Sequence, residues 1–133
     1  MLRRSSEHHG TPADALTARI AVTAVWAHQG VWAKLLGRDP RQRSILAAVP
    51  GVGPGRVGAV LVALGLAETA LAAWILTGRA GRVTALAQTA AVVAMNAAGL
   101  RRGGAEVPRP GRLLARNAGF LTLAWLAADD GRR

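Results

Sequence analysis

Apolar residues in this chain gather into four long runs, and polar residues gather between them. The first run, Ala15–Leu36, is broken by Arg19 near its start, His28 and Gln29 inside, and Lys34 near its end. The second, Val57–Thr77, holds one charged residue, Glu68, close to its midpoint. Gln88 and Asn96 fall inside the third, Val83–Leu100, and Arg116 and Asn117 in the first turns of the fourth, Leu113–Ala128. At 1.5 Å per residue the first run makes a helix of roughly 33 Å, matched to a hydrocarbon core of ~30 Å. A soluble bundle would carry charged stripes at helical spacing, and Val57–Thr77 has none. The pattern predicts an all-α fold: a four-helix transmembrane bundle in one small domain.

The connections punctuate that bundle. Residues 1–13 form a polar N-terminal tail, residues 14–128 the membrane domain and residues 129–133 a C-terminal tail. Asp14 is placed to cap the first helix. No signal peptide is expected, because the first apolar run starts late and lacks a small-residue cleavage site. Gly37-Arg38-Asp39-Pro40 reads as a stop and a restart, with Asp39 as N-cap and Pro40 as first helical residue. The segment Arg41–Val49 then predicts a short interfacial helix between helices 1 and 2. Pro50–Gly55 is a turn, and Gly78–Arg82 and Arg101–Gly111 are connections rich in Gly, Pro and Arg.

Charge sharpens the membrane reading. The formal net charge of +10 suits nucleic acid or an anionic membrane surface equally well until position is considered. Basic residues cluster in tails, in connections and near span ends, as they do where membrane spans meet water. Arg3, Arg4, Arg19, Arg79, Arg82, Arg132 and Arg133 fall on one side, ten basic residues from Lys34 to Arg116 on the other. The positive-inside rule therefore leans towards both termini outside an inner (cell) membrane. Lys34, Trp32, Trp74 and Trp125 lie near span ends and are expected as interfacial anchors, with Lys34 snorkelling. Trp26 is more central and is expected to pack. With no Cys, thiolate chemistry and disulfides are excluded. No metal site is expected, since Glu7, His8 and His9 stand in a polar tail.

Leu46–Leu61, with Pro50, Gly51, Gly53 and Gly55 at its turn, resembles a helix-hairpin-helix element, whose turn offers backbone N–H groups to a DNA phosphate. The second helix of such a hairpin is short and amphipathic, whereas this one continues as an unbroken apolar run. No aromatic residues interleave the charges for bases. A tight turn into a span explains the glycines better, and a nucleic-acid partner is not expected.

Polar side chains inside the runs are the candidate chemistry. An ionised carboxylate at mid-bilayer costs on the order of 2.5–3.5 kcal/mol. Glu68 must therefore face the bundle interior, where Leu61, Leu64, Gly65, Ala72 and Ile75 share its face. His28 is the expected partner, reached from an antiparallel first helix. Gln88 and Asn96 lie within about 80° of one another on the third helix, and Asn117 closes the network from the fourth. His28, Glu68, Gln88, Asn96 and Asn117 thus form a candidate buried polar centre. Such a centre binds a polar head group such as a quinone ring, relays a proton, or serves only to fix helix register. No Ser-His-Asp arrangement, carboxylate pair or phosphate loop is present, so no catalytic residues are assigned and no enzyme active on its own is expected.

The run Val25-Trp26-Ala27-His28-Gln29-Gly30-Val31-Trp32-Ala33-Lys34-Leu35-Leu36-Gly37 resembles the first helix of small DoxX-like membrane proteins, which show an aromatic-His-Gly-x-x-x-Lys-Leu signature there. Gln29 is one residue more than that His-Gly order contains. Gly65-Leu66-Ala67-Glu68 is similar to their second helix, Ala87-Gln88-Thr89-Ala90 and Met95-Asn96-Ala97-Ala98-Gly99 to their third. Arg116-Asn117, Phe120-Leu121 and Leu123-Ala124-Trp125 are similar to their fourth. The resemblance covers roughly residues 16–128. It implies a four-helix membrane bundle and a loose tie to redox biology, relatives including a subunit linked to thiosulfate oxidation by quinone. The expected role is an accessory or quinone-linked subunit of a membrane redox system. The alternative is a scaffolding subunit for a soluble oxidoreductase. The expected partners are the lipid bilayer, such an oxidoreductase and further copies of the chain.

Overall fold

The computed structural model describes residues 11–102 and 109–129, and the tails expected at either end lie almost wholly outside them. Helix α1 (Pro12–Ala27) runs into a π-helical segment (His28–Leu35). Helices α2 (Pro40–Ala47), α3 (Pro54–Leu76), α4 (Gly81–Arg102) and α5 (Pro110–Ala128) follow, and the described residues contain no strand.

Local chemistry sets these boundaries. Thr11 Oγ1 accepts from the Asp14 backbone N–H at 3.3 Å, and Asp14 Oδ2 accepts from the Thr11 N–H at 2.7 Å. This reciprocal capping box starts α1 two residues before Asp14, which therefore acts from the third helical position and not as the cap itself. Two residues past the π-helical segment Gly37 turns the chain, and its φ of +61° suits a residue without a Cβ. Asp39 accepts from the Arg41 N–H at 3.1 Å and Pro40 fills the first position of α2, as their order predicts. Gly53 in extended conformation and Pro54 open α3.

Helix α1 lies between α3 and α5, while α4 packs on α5 and only lightly on α3. Arg19 lies against Gly78, and Gly30 against Gly65, so α1 and α3 are antiparallel. Gly81 beside Ala128, with Asn96 bonded to Asn117, sets α4 and α5 antiparallel too. Val22, Trp26, Ala72, Ile75, Val92 and Ala124 form the common core, drawing on all four long helices.

Among the described residues two helices, Pro54–Leu76 and Gly81–Arg101, are long and apolar enough to cross a membrane, holding 18-residue stretches of mean hydropathy 2.1 and 1.4 respectively. Helix α1 falls short in length, with 16 residues before the π-helical segment takes over, and Arg112, Arg116 and Asn117 lower the hydropathy of α5. Length and composition thus mark two spans where the apolar runs predict four.

Candidate functional site: a buried ion pair between α3 and the π-helical segment

The segment His28–Leu35 closes wider turns than an α-helix; the Leu36 N–H, for instance, reaches back five residues to the Val31 carbonyl at 2.8 Å. It presses Gly30, Ala33 and Lys34 against α3. A Cβ on Gly30 would stand 2.7 Å from the Gly65 carbonyl oxygen and 2.9 Å from the Thr69 backbone nitrogen. One on Gly65 would stand 2.9 Å from both the Gly30 carbonyl oxygen and Leu35 Cγ. Two glycines therefore meet backbone to backbone, the contact that small residues permit between helices.

Lys34 and Glu68 meet beside this contact. The ammonium donates to both carboxylate oxygens at 2.8 Å, and the side chains are only 4% and 7% exposed. The close glycine approach brings the helices near enough for a lysine on one to reach an acid on the other. Two charges removed from water are tolerated only in such paired geometry.

This arrangement corrects two expectations. Lys34 is buried and does not anchor at the interface: it sits four residues after Gly30, on the turn that faces α3. His28 is not the partner of Glu68, because it lies on the exposed face of the π-helical segment, its ring stacked on Trp32. The signal that would have found Lys34 is its spacing, with Gly30-x-x-x-Lys34 opposite Gly65-x-x-Glu68.

The amide residues pair off elsewhere. Gln88, almost wholly buried, accepts from Trp26 Nε1 at 3.0 Å. Asn117 Nδ2 donates to Asn96 Oδ1 at 2.8 Å, tying α5 to α4. The five residues expected as one polar centre thus separate into His28 on the surface, Glu68 with Lys34, Gln88 with Trp26, and Asn96 with Asn117. Trp26 also meets Phe120 edge to face at 5.8 Å. Trp32, Trp74 and Trp125 stand partly exposed on the outside, Trp125 donating to Thr89 Oγ1 at 3.3 Å. A shallow crevice lined by Arg19, Gly78, Thr84 and Gln88 has room for about one water. No three His, Asp or Glu side chains converge among the described residues.

The model of the DoxX-like family matches residues 23–101, more than half of the chain. The chain belongs to the DoxX-like family. No curated protein and no solved structure matches it. The DoxX-like match begins in the second half of α1 and ends at the end of α4, so it contains the whole of the Lys34–Glu68 contact and leaves α5 outside. Membership in this membrane-associated family and two span-length helices agree in making the chain a small membrane protein.

Proposed function

We propose that the chain crosses the inner membrane four times and serves as an accessory, scaffolding subunit of a membrane redox system, supporting a partner oxidoreductase without a redox group of its own. The observation that carries this reading is the closed pairing of the polar side chains. Lys34–Glu68, Trp26–Gln88 and Asn96–Asn117 pair with one another, and among the described residues Gln88 alone of these lines a crevice, one with room for about a single water. Hydrogen bonds of this kind fix the register of a bundle made largely of Ala, Leu and Val.

Four spans are supported by the outward faces. Leu16, Ile20 and Val31 on the first helix and Leu114, Leu123 and Leu126 on α5 are exposed, as are Val62, Leu66, Val83 and Leu86 on α3 and α4. All four long helices thus offer apolar surface of a kind that lipid covers. Alkaline carbonate washing tests this reading: a four-span protein stays in the membrane until detergent is added. Alkaline release would overturn the four-span reading.

One observation favours a second reading, a quinone-linked centre. Register can be fixed by amides, yet this contact uses a full ion pair, and ionisable residues within spans mark functional sites more often than packing. A quinone head group suits the donor set, its carbonyl oxygen accepting from the ammonium and its reduced hydroxyl donating to the carboxylate. Each group already holds the other at 2.8 Å and is almost wholly buried, so such binding requires the pair to part. The double substitution Lys34→Met with Glu68→Leu separates the readings. A scaffold keeps quinol-dependent activity of its membranes, and a quinone-linked centre loses it.

The helix-hairpin-helix alternative has less support. Pro50–Gly53 does turn between α2 and α3, but α3 continues for 23 residues as an apolar helix.

A further inference from the structure

Trp32 projects from the outer surface of the π-helical segment and is half exposed. The His28 ring stacks on it, with centroids 6.5 Å apart and planes 23° from parallel. The Arg38 guanidinium lies over the same indole, 5.5 Å from its centroid. Backbone geometry holds Arg38 there: Gly37 turns the chain with φ of +61°, and the Arg38 N–H donates to the Trp32 carbonyl at 3.2 Å. Among the described residues neither Arg38 nor Arg41 makes an ion pair. Asp39, between them in the chain, already accepts from the Arg41 backbone N–H.

The result is an uncompensated cation fixed beside an exposed indole, bordered by the exposed apolar side chains of Val31 and Leu36. That sequence of surfaces matches a phospholipid: acyl chain on Val31 and Leu36, interfacial region on Trp32, phosphate on Arg38. The wider charge distribution points the same way. With Lys34 buried in its pair, the α2 end still collects the arginines from Arg38 to Arg56 and from Arg101 to Arg116, against Arg19, Arg79 and Arg82 at the opposite end.

We propose that His28, Trp32 and Arg38 form a binding site for the phosphate of an anionic phospholipid, with Arg41 as a second cation, and that the site seats the α2 end on the anionic cytoplasmic leaflet. The proposal rests on the four-span reading. His28 props the indole, Trp32 supplies the interfacial platform, and Arg38 supplies the charge.

The test is native mass spectrometry of the full chain in detergent with equal amounts of phosphatidylglycerol and phosphatidylcholine. Retention of phosphatidylglycerol over phosphatidylcholine is expected, and Arg38→Gln should lower that preference about fivefold, the effect of one arginine at an anionic surface. Trp32→Ala should act in the same direction, while Arg79→Gln at the opposite end should leave the preference unchanged. Equal losses from Arg38→Gln and Arg79→Gln, or no preference in the unaltered chain, would overturn the site. Displacement of the lipid by millimolar inorganic phosphate would show a soluble-anion site and overturn the lipid assignment. Carbonate resistance is read separately, so a protein that stays in the membrane but shows no lipid preference sinks this proposal alone.

Discussion

The Lys34 ammonium donates to both oxygens of the Glu68 carboxylate at 2.8 Å, across a contact where Gly30 and Gly65 bring two backbones together. Removing one partner strands the other charge away from water. Lys34→Met or Glu68→Leu alone should therefore destabilise the protein by about 3–5 kcal/mol. The double substitution should recover much of that loss, because apolar side chains of similar size replace both charges. Thermal unfolding in detergent across the double-mutant cycle reads the coupling. Losses that simply add would mean that the pair contributes nothing as a pair.

The glycine contact predicts a second graded series. A methyl group on Gly30 meets the Gly65 carbonyl and the Thr69 backbone, neither of which retreats as a flexible side chain would. Gly30→Ala should cost about 1–3 kcal/mol, and Gly65→Ala, partly facing Leu35, a similar or smaller amount. Gly58, also in α3, has nothing within 4 Å of its added Cβ. Gly58→Ala should leave stability unchanged or raise it by about 0.5–1 kcal/mol. The same melting measurement checks all three, and a destabilised Gly58→Ala would show that the effect is not one of close approach.

At the start of α1 the Asp14 carboxyl is held below the usual carboxylate range by hydrogen bonds from the Thr11 hydroxyl and the Thr11 N–H. A carboxyl with a lowered folded-state pKa contributes stability that is present above its unfolded-state pKa. That contribution disappears as pH falls through the folded-state value. Protection of the first turn of α1 against amide exchange should therefore weaken on acidification below the ordinary Asp range. Asp14→Asn should weaken it at neutral pH and flatten the pH dependence. An unchanged pH profile in Asp14→Asn would assign the effect to another group.

Most of the secondary structure was legible because it depends on local signals. Asp39 and Pro40 mark the start of α2, and the Gly and Pro clusters mark the turns. That Glu68 faces the interior followed from the cost of burying a carboxylate, and its partner did not. Proximity to a span end suggested that Lys34 snorkels, a reading that assumes a regular helix. The π-helical segment changes the direction in which Lys34 points, and no single residue announces such a segment. Pairing between helices was hidden for a similar reason: Trp26 with Gln88 and Asn96 with Asn117 depend on the offset between neighbouring helices.

Gln29 offers a way to test that account of the π-helical segment. Ala18, Val22, Trp26, Gly30 and Lys34 are all buried, at a strict spacing of four. In an α-helix each step of four overshoots a full turn by about 40°, so a stripe of five such positions would wind around the helix. Beyond Ala27 the wider turns reverse that drift and return Gly30 and Lys34 to α3. Gln29 is also the residue by which the chain exceeds the His-Gly order of the DoxX-like signature. Deleting it leaves a step of three from Trp26 to Gly30, which in an α-helix undershoots a turn by about 60°, the same sense of rotation as the π-helical turns. The deletion should therefore be tolerated, with the segment relaxing to α-helix and Lys34 still meeting Glu68. Deleting Ala21 rotates the rest of the helix by about 100° with nothing to absorb it, and should abolish stable accumulation in the membrane. Lys34–Glu68 coupling, measured by the double-mutant cycle in each background, distinguishes the cases. Equal damage from both deletions would show that the extra residue does not set the register.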